Sequence, residues 1–257
     1  FRTFVRFPLP RTVHLCVVNK TTQKMKKQQI TGWLLIAGAA GVLIPYTILS
    51  ILFNYPDVLR QEPGSILTQF HNGGNGLIGT WFAFAILGLP LVPAYQFIGQ
   101  QIEKHSIWSK TATTFGVIGL IVQMIGLLRW TFVVPVLSEQ YVNTTDPAMK
   151  AAAVSSFSTL HQFAGVLLGE HLGQLFTIIW TIMISLILVK IKWFPRWMGW
   201  LGVISSLIYF LAQAELFATV IPGFPVWEMA GFLGSSLWLI WLLITGILMI
   251  RKKTGFE

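Results

Sequence analysis

Six long apolar stretches, each bounded by charge or by Gly and Pro, limit what this chain can fold into. They cover residues 30–53, 75–99, 111–138, 158–189, 197–221 and 227–250. About 20 mainly apolar helical residues cross the hydrocarbon core of a bilayer, and every stretch reaches that length. A chain that is 54% hydrophobic and 11% charged, with a mean hydropathy of +0.68, is not a soluble domain. The pattern predicts an all-α fold, a polytopic membrane helical bundle with six transmembrane helices.

The net charge of +9 would point to nucleic acid in a soluble protein. Here Lys26, Lys27, Lys104, Lys110, Lys190, Lys192, Arg196, Arg251, Lys252 and Lys253 all flank span ends. They fall in the tails and in the second and fourth connections, whereas the first, third and fifth hold only Arg60 and Lys150. Positive charge marks the cytoplasmic side, so both termini are expected in the cytoplasm and nucleic acid is not an expected partner. The lipid bilayer is the expected one; protein partners are unknown from the sequence.

No connection is long enough for a second domain, so residues 25–257 read as a single six-helix unit. Residues 1–24 lack clear periodicity and precede Met25-Lys26-Lys27, which resembles an ordinary start; they read as a doubtful or disordered N-terminal extension. Cys16 is the only cysteine, which excludes an intrachain disulfide and a multi-cysteine metal site. Residues 54–68 alternate charge with Val58, Leu59, Ile66 and Leu67, a pattern for a short amphipathic helix on the outer surface. His71-Asn72-Gly73-Gly74-Asn75-Gly76 reads as a turn opening the second span. Thr145-Asp146-Pro147 is a helix-start signal, so the fourth helix is expected to begin near Pro147 and stand above the surface. Trp33, Trp108, Trp193, Trp197, Trp200 and Trp227 sit where indoles anchor helices at the headgroups.

Four ionisable residues do not belong in lipid: Arg129, Glu170, His171 and Glu215. Such groups normally face the bundle interior and find partners. At about 1.5 Å rise per residue, Arg129, Glu170 and Glu215 stand about 27, 30 and 27 Å above the inner ends of their helices. They are therefore expected in one layer beneath the outer headgroups, with a buried Arg129–Glu170 pair and Glu215 or His171 as a further partner. Gly165, Gly169 and Gly173 on the fourth helix, with Gly116, Gly119, Gln123 and Gly126 on the third, predict close approach of the two backbones.

At about 100° per residue, His161 and Glu170 would point to opposite sides of the fourth helix, and His161 and His171 would lie about 15 Å apart. They cannot then share a metal ion, whose nitrogen ligands lie near 2 Å, and no metal residues are assigned. Glu170 and Gln174 share a face. The site candidates are Arg129, Glu170, His171, Gln174, Glu215, His71 and His161, as ligand-binding or ion-pair groups.

The run Leu160-His161-Gln162-Phe163-Ala164-Gly165 through Gly169-Glu170-His171-Leu172-Gly173, then Trp180 and Phe194-Pro195-Arg196-Trp197-Met198-Gly199-Trp200-Leu201-Gly202, resembles domain-of-unknown-function family 4386. The likeness runs from Met25 to Lys253. It implies a multi-pass protein of the bacterial plasma membrane and brings no activity or catalytic residue with it.

The expected function is binding or transport of a small molecule at the polar layer in the outer part of the bundle. The alternatives are an intramembrane enzyme, metal-dependent or not, with His71, His171 and Glu170 as base or metal ligands, a haem-binding electron-transfer protein using His71 and His161, or a non-catalytic membrane subunit. Enzyme status and cofactors are left open, although no GxSxG nucleophile or HExxH motif occurs.

Overall fold

The computed structural model describes the backbone of residues 11–251 and the side chains of residues 26–251. Ten α-helices carry the described chain: α1 (Arg11–Phe53), α2 (Pro63–Ile86), α3 (Leu91–Ile102), α4 (Ser109–Phe132), α5 (Val134–Asn143), α6 (Pro147–Leu160), α7 (Gly173–Lys190), α8 (Arg196–Leu211), α9 (Gln213–Ala218) and α10 (Met229–Arg251). A π-helix (His161–Leu172) joins α6 to α7. Grouped across their breaks, they form six segments long and apolar enough to cross a membrane: Lys26–Phe53, Pro63–His105, Ser109–Asn143, Pro147–Lys190, Arg196–Ala218 and Met229–Arg251. Residues 11–24 continue α1 as helix, whereas 1–10 lie outside the described residues.

The breaks have local causes. Gly74 takes a positive φ of 55°, kinking α2 midway. Pro90 caps α3 and Pro135 lies in the first turn of α5, where a proline's missing N–H is tolerated but cannot continue the helix before it. Asp146 caps α6, its carboxylate accepting from the Ala148 N–H at 2.9 Å, so the fourth helix does begin at Pro147.

The first connection departs from expectation. Residues 54–68 do not form a surface helix: a single 3₁₀ turn (Asp57–Arg60) is followed by α2, whose first N–H groups are capped by Glu62. Val58, Leu59, Ile66 and Leu67 are buried against Phe53, Phe70 and Trp81 instead of facing headgroups. His71–Gly76 is likewise helical, interrupted only by the kink.

The spans pack in chain order around a ring, with the first also against the sixth. Backbones meet closely there: a Cβ on Gly32 would lie 2.5 Å from the Gly246 carbonyl oxygen. Gln28 donates to the Met249 carbonyl at 3.2 Å, so the first and last spans end on one face, called here the basic face. Ile44, Ile51, Phe132 and many other large apolar side chains are exposed around the ring, as a lipid-contacting bundle requires. Trp33, Trp108, Trp197, Trp200 and Trp227 are also exposed, whereas Trp193 is buried and stacks on Phe194 at 5.4 Å.

Two separate cores hold the bundle. The one toward the basic face takes buried residues from all six spans, among them Leu35, Tyr95, Leu120, Trp180, Met198 and Trp241. The one toward the opposite face is built from the first connection and spans one to four, around Phe53, Phe70, Trp81, Trp130 and Phe157. Trp81 and Trp130 stack at 4.7 Å in its middle. Among the described residues, spans five and six contribute nothing buried to this second core. Polar links and one ring contact, His171 edge-on to Phe217, join span five to it.

Candidate functional site

That junction begins with the 3₁₀ turn of the first connection. Burial of Val58 and Leu59 pins the turn against the bundle end, and Arg60 is thereby carried over the interior. Its Nη2 donates to Glu170 Oε2 at 2.6 Å and its Nε to Glu215 Oε1 at 2.9 Å. One guanidinium thus bridges carboxylates from spans four and five, using the planar fork for which arginine is suited. The Arg60 side chain is 29% exposed, against 18% for Glu170 and 40% for Glu215. Burial pushes the Arg60 pKa down, but the two carboxylates outweigh it and leave the group above its ordinary value. Arg60 is therefore a permanent cation in this arrangement.

The Arg129–Glu170 ion pair expected from the sequence does not form. Arg129 is buried, 6% exposed, and its Nη1 donates to the Gly126 carbonyl on its own helix. Its guanidinium rests against Gly165, where a Cβ would come within 2.5 Å of Nη2, and over the Trp130 ring at 5.2 Å. Glu170 still acts on it electrostatically. The reason for the changed partner is topological: the folded-in connection brings Arg60 to Glu170 first.

The angular expectation for His161 also fails, because the segment is not α-helical. In a π-helix, N–H groups bond five residues back and the chain turns more slowly per residue. His161 and Glu170, roughly two such turns apart, therefore do not diverge to opposite sides. The His161 ring is buried beside Trp130 and Phe157 and lies within the fields of Arg129, Glu170 and Arg60. The Leu59 main chain lies beside the ring without reaching hydrogen-bond geometry, and neither nitrogen has a partner among the described residues.

Below Arg60, a second polar link crosses the same junction. His171 Nδ1 lies 2.6 Å from Gln213 Oε1, and Gln213 Nε2 donates to Gln174 Oε1 at 2.6 Å. With the Gln213 amide donating onward, its oxygen accepts, which makes Nδ1 the protonated nitrogen. Gln162 Nε2 donates to Thr219 Oγ1 at 3.0 Å as a third link. Tyr55 faces the cluster from the first connection, and its hydroxyl pKa is raised by burial and then by Glu170. Four candidates, Glu170, His171, Gln174 and Glu215, therefore lie in these links, with Arg129 and His161 alongside. His71 stands apart: it is half-buried on α2 and takes no hydrogen bond or ion pair among the described residues. Gln213, near the expected charged layer by sequence, does join the link, whereas Arg60 is a site residue that the sequence does not single out. The available signal for Arg60 is its position, a lone cation in a connection on the side otherwise poor in positive charge.

The glycine stripes explain how spans three and four come close enough to seat Arg129. A Cβ on Gly126 would lie 2.7 Å from the Ala164 carbonyl oxygen and from the Gly169 Cα. A Cβ on Gly173 would run into the Gln123 side chain, and one on Gly119 would meet Phe176 at 3.1 Å. Among the described residues no group of three His, Cys, Asp or Glu could hold a metal ion.

A ring of six apolar spans with ionisable side chains turned inward defines a multi-pass membrane protein. The chain matches the family described as "Domain of unknown function (DUF4386)" over residues 30–246, and it belongs to that family. No curated protein and no solved structure matches it.

Proposed function

We propose that this protein binds a small molecule at the polar junction between its second core and span five, and that binding serves transport from the face carrying Arg60. The observation that carries the reading is that two charged groups of this junction keep a buried atom without a hydrogen-bond partner, Arg129 Nε and Glu170 Oε1. Buried polar groups in a low-dielectric layer are ordinarily satisfied, and intramembrane charges mark functional sites by default. In this reading Arg60, partly exposed at the rim, opens or closes access by leaving or keeping its two carboxylates. The distribution of Lys and Arg supports an orientation with both termini cytoplasmic and Arg60 outside, and the setting proposed is the bacterial plasma membrane.

The test is a thermal-shift screen of the full chain in detergent against a metabolite library of charged, zwitterionic and neutral compounds. Each hit is repeated on Arg129→Gln and Glu170→Gln. At least one compound is expected to raise Tm in the parent protein and not in the variants. If no compound shifts the parent more than both variants, the reading is wrong.

A further inference from the structure

The charges in the junction constrain what kind of molecule it takes, given the binding role proposed above. Arg60, Arg129, Glu170 and Glu215 sum to zero. Adding a net charge beside the more deeply set Arg129 and Glu170 is costly, because neither has a counter-ion to spare there. A ligand without net charge avoids that cost.

The unpartnered atoms supply the second constraint. Arg129 is more than nine-tenths buried and its Nε–H has no acceptor. Glu170 gives one oxygen to Arg60, while Oε1 is buried with no donor. The π-helix brings these two together. Gly165, against which the Arg129 guanidinium rests, and Glu170 are five residues apart, the spacing at which π-helical residues stack one turn over the next. An anion-seeking edge and a cation-seeking oxygen therefore share one junction, each within the other's field, without forming an ion pair. His161, also about nine-tenths buried, borders the same place.

We infer that the junction binds a small amino-acid-like zwitterion, its carboxylate on Arg129 and its ammonium on Glu170 Oε1. A lone anion would satisfy Arg129 but leave the layer one charge negative. A lone cation would satisfy Glu170 and leave it one charge positive. Only a molecule with both groups fills both orphaned positions and keeps the sum at zero.

The experiment uses the full chain in detergent, with glycine, alanine, leucine and phenylalanine as zwitterions and propionate and propylamine as the separated halves, at equal ionic strength. At least one zwitterion is expected to raise Tm and to bind at least tenfold more tightly than either half. The variants make the assignment specific, because selectivity changes in opposite directions. Glu170→Gln leaves an unbalanced Arg129, so propionate is expected to bind better than the zwitterion. Arg129→Gln leaves an unbalanced carboxylate layer, so propylamine is expected to gain. Should Arg129→Gln not fold, Arg129→Lys keeps the charge without the fork and is expected to weaken zwitterion binding about tenfold. Propionate or propylamine binding the parent as well as alanine does would overturn the zwitterion assignment while leaving a small-molecule site in place. The zwitterion assignment is overturned in the same way if no amino acid binds but a library compound does. A library without any hit removes the binding reading itself.

Discussion

The two ends of the bundle are closed by different physics. Toward the basic face, buried side chains from all six spans interlock, with Tyr95 stacked on Trp180 and Trp180 edge-on to Trp241. Toward the opposite face, the apolar core ends at span four, and span five is held mainly by Arg60, by His171–Gln213–Gln174 and by Gln162–Thr219, with Phe217 edge-on to His171. Between helices in lipid there is little hydrophobic drive, so association rests on close packing and on interhelical hydrogen bonds. Packing is dense and resists opening. A few directional contacts hold an interface in one register and release it when one partner is taken away. The half with the continuous core is thus the rigid frame, and the other half is where spans can part.

The largest effect is expected from breaking the frame. Trp180 is fully buried and touches rings from spans two and six. Trp180→Ala leaves a cavity the ring of helices cannot collapse, and costs about 3–5 kcal/mol. Equilibrium unfolding in mixed micelles reads it, and a loss below about 1 kcal/mol would erase the contrast between the two ends.

Next comes the seam that seats Arg129. The atoms a Gly126 side chain would meet are backbone of the π-helix and cannot give way. Gly126→Leu is expected to force spans three and four apart at a cost of about 1–3 kcal/mol. Gly79, whose added Cβ would meet nothing within 4 Å, is the control. Gly79→Ala should leave stability unchanged or raised by about 1 kcal/mol, since alanine favours helix. Tm measured on both variants side by side tests the pair.

Arg60→Ala is expected to cost about 1–3 kcal/mol, between the exposed and buried limits for ion pairs, because its side chain is partly exposed. Its main consequence is local. With Cys16→Ser as background, cysteines replacing Gln162 and Thr219 report whether span five stays docked. Cross-linking should be efficient with Arg60 present and fall several-fold without it, with Arg60→Lys intermediate because a lysine cannot fork between two carboxylates. Unchanged cross-linking would mean that Arg60 is not what closes the junction.

The rigid half is readable from residue order, and the junction only partly. Span number follows from lengths of apolar sequence, and the α6 start follows from Asp146-Pro147, because both signals are local. Counting helical rise puts Glu170 and Glu215 in one layer, and one guanidinium does reach both. The identity of that guanidinium is not legible, because it depends on where the first connection folds. Val58 and Leu59 read equally well as lipid-facing or core-facing, and only the second choice carries Arg60 inward. The π-helix escapes the sequence for a related reason. His161–Leu172 has no residue that forbids an α-helix, and nothing local in its sequence calls for the wider turn. The opposite-sides angle for His161 and Glu170, taken across it at the α-helical period, is therefore wrong.

The finest comparison is between two histidines that look alike in sequence. His171 donates from Nδ1 across the junction to Gln213, which is buried, so His171→Ala orphans an amide oxygen and is expected to cost about 1–2 kcal/mol. His71 lies on α2, beside the second core, with no polar partner among the described residues, and His71→Ala is expected to change Tm by an amount equivalent to less than about 0.5 kcal/mol. Hydrogen exchange at residues 213–218 separates the two further. It should rise in His171→Ala, because span five has lost a link, and stay at the parent level in His71→Ala. Equal effects of the two substitutions would show that the polar links add nothing to the docking of span five, and that the difference drawn between the two ends of the bundle is one of composition alone.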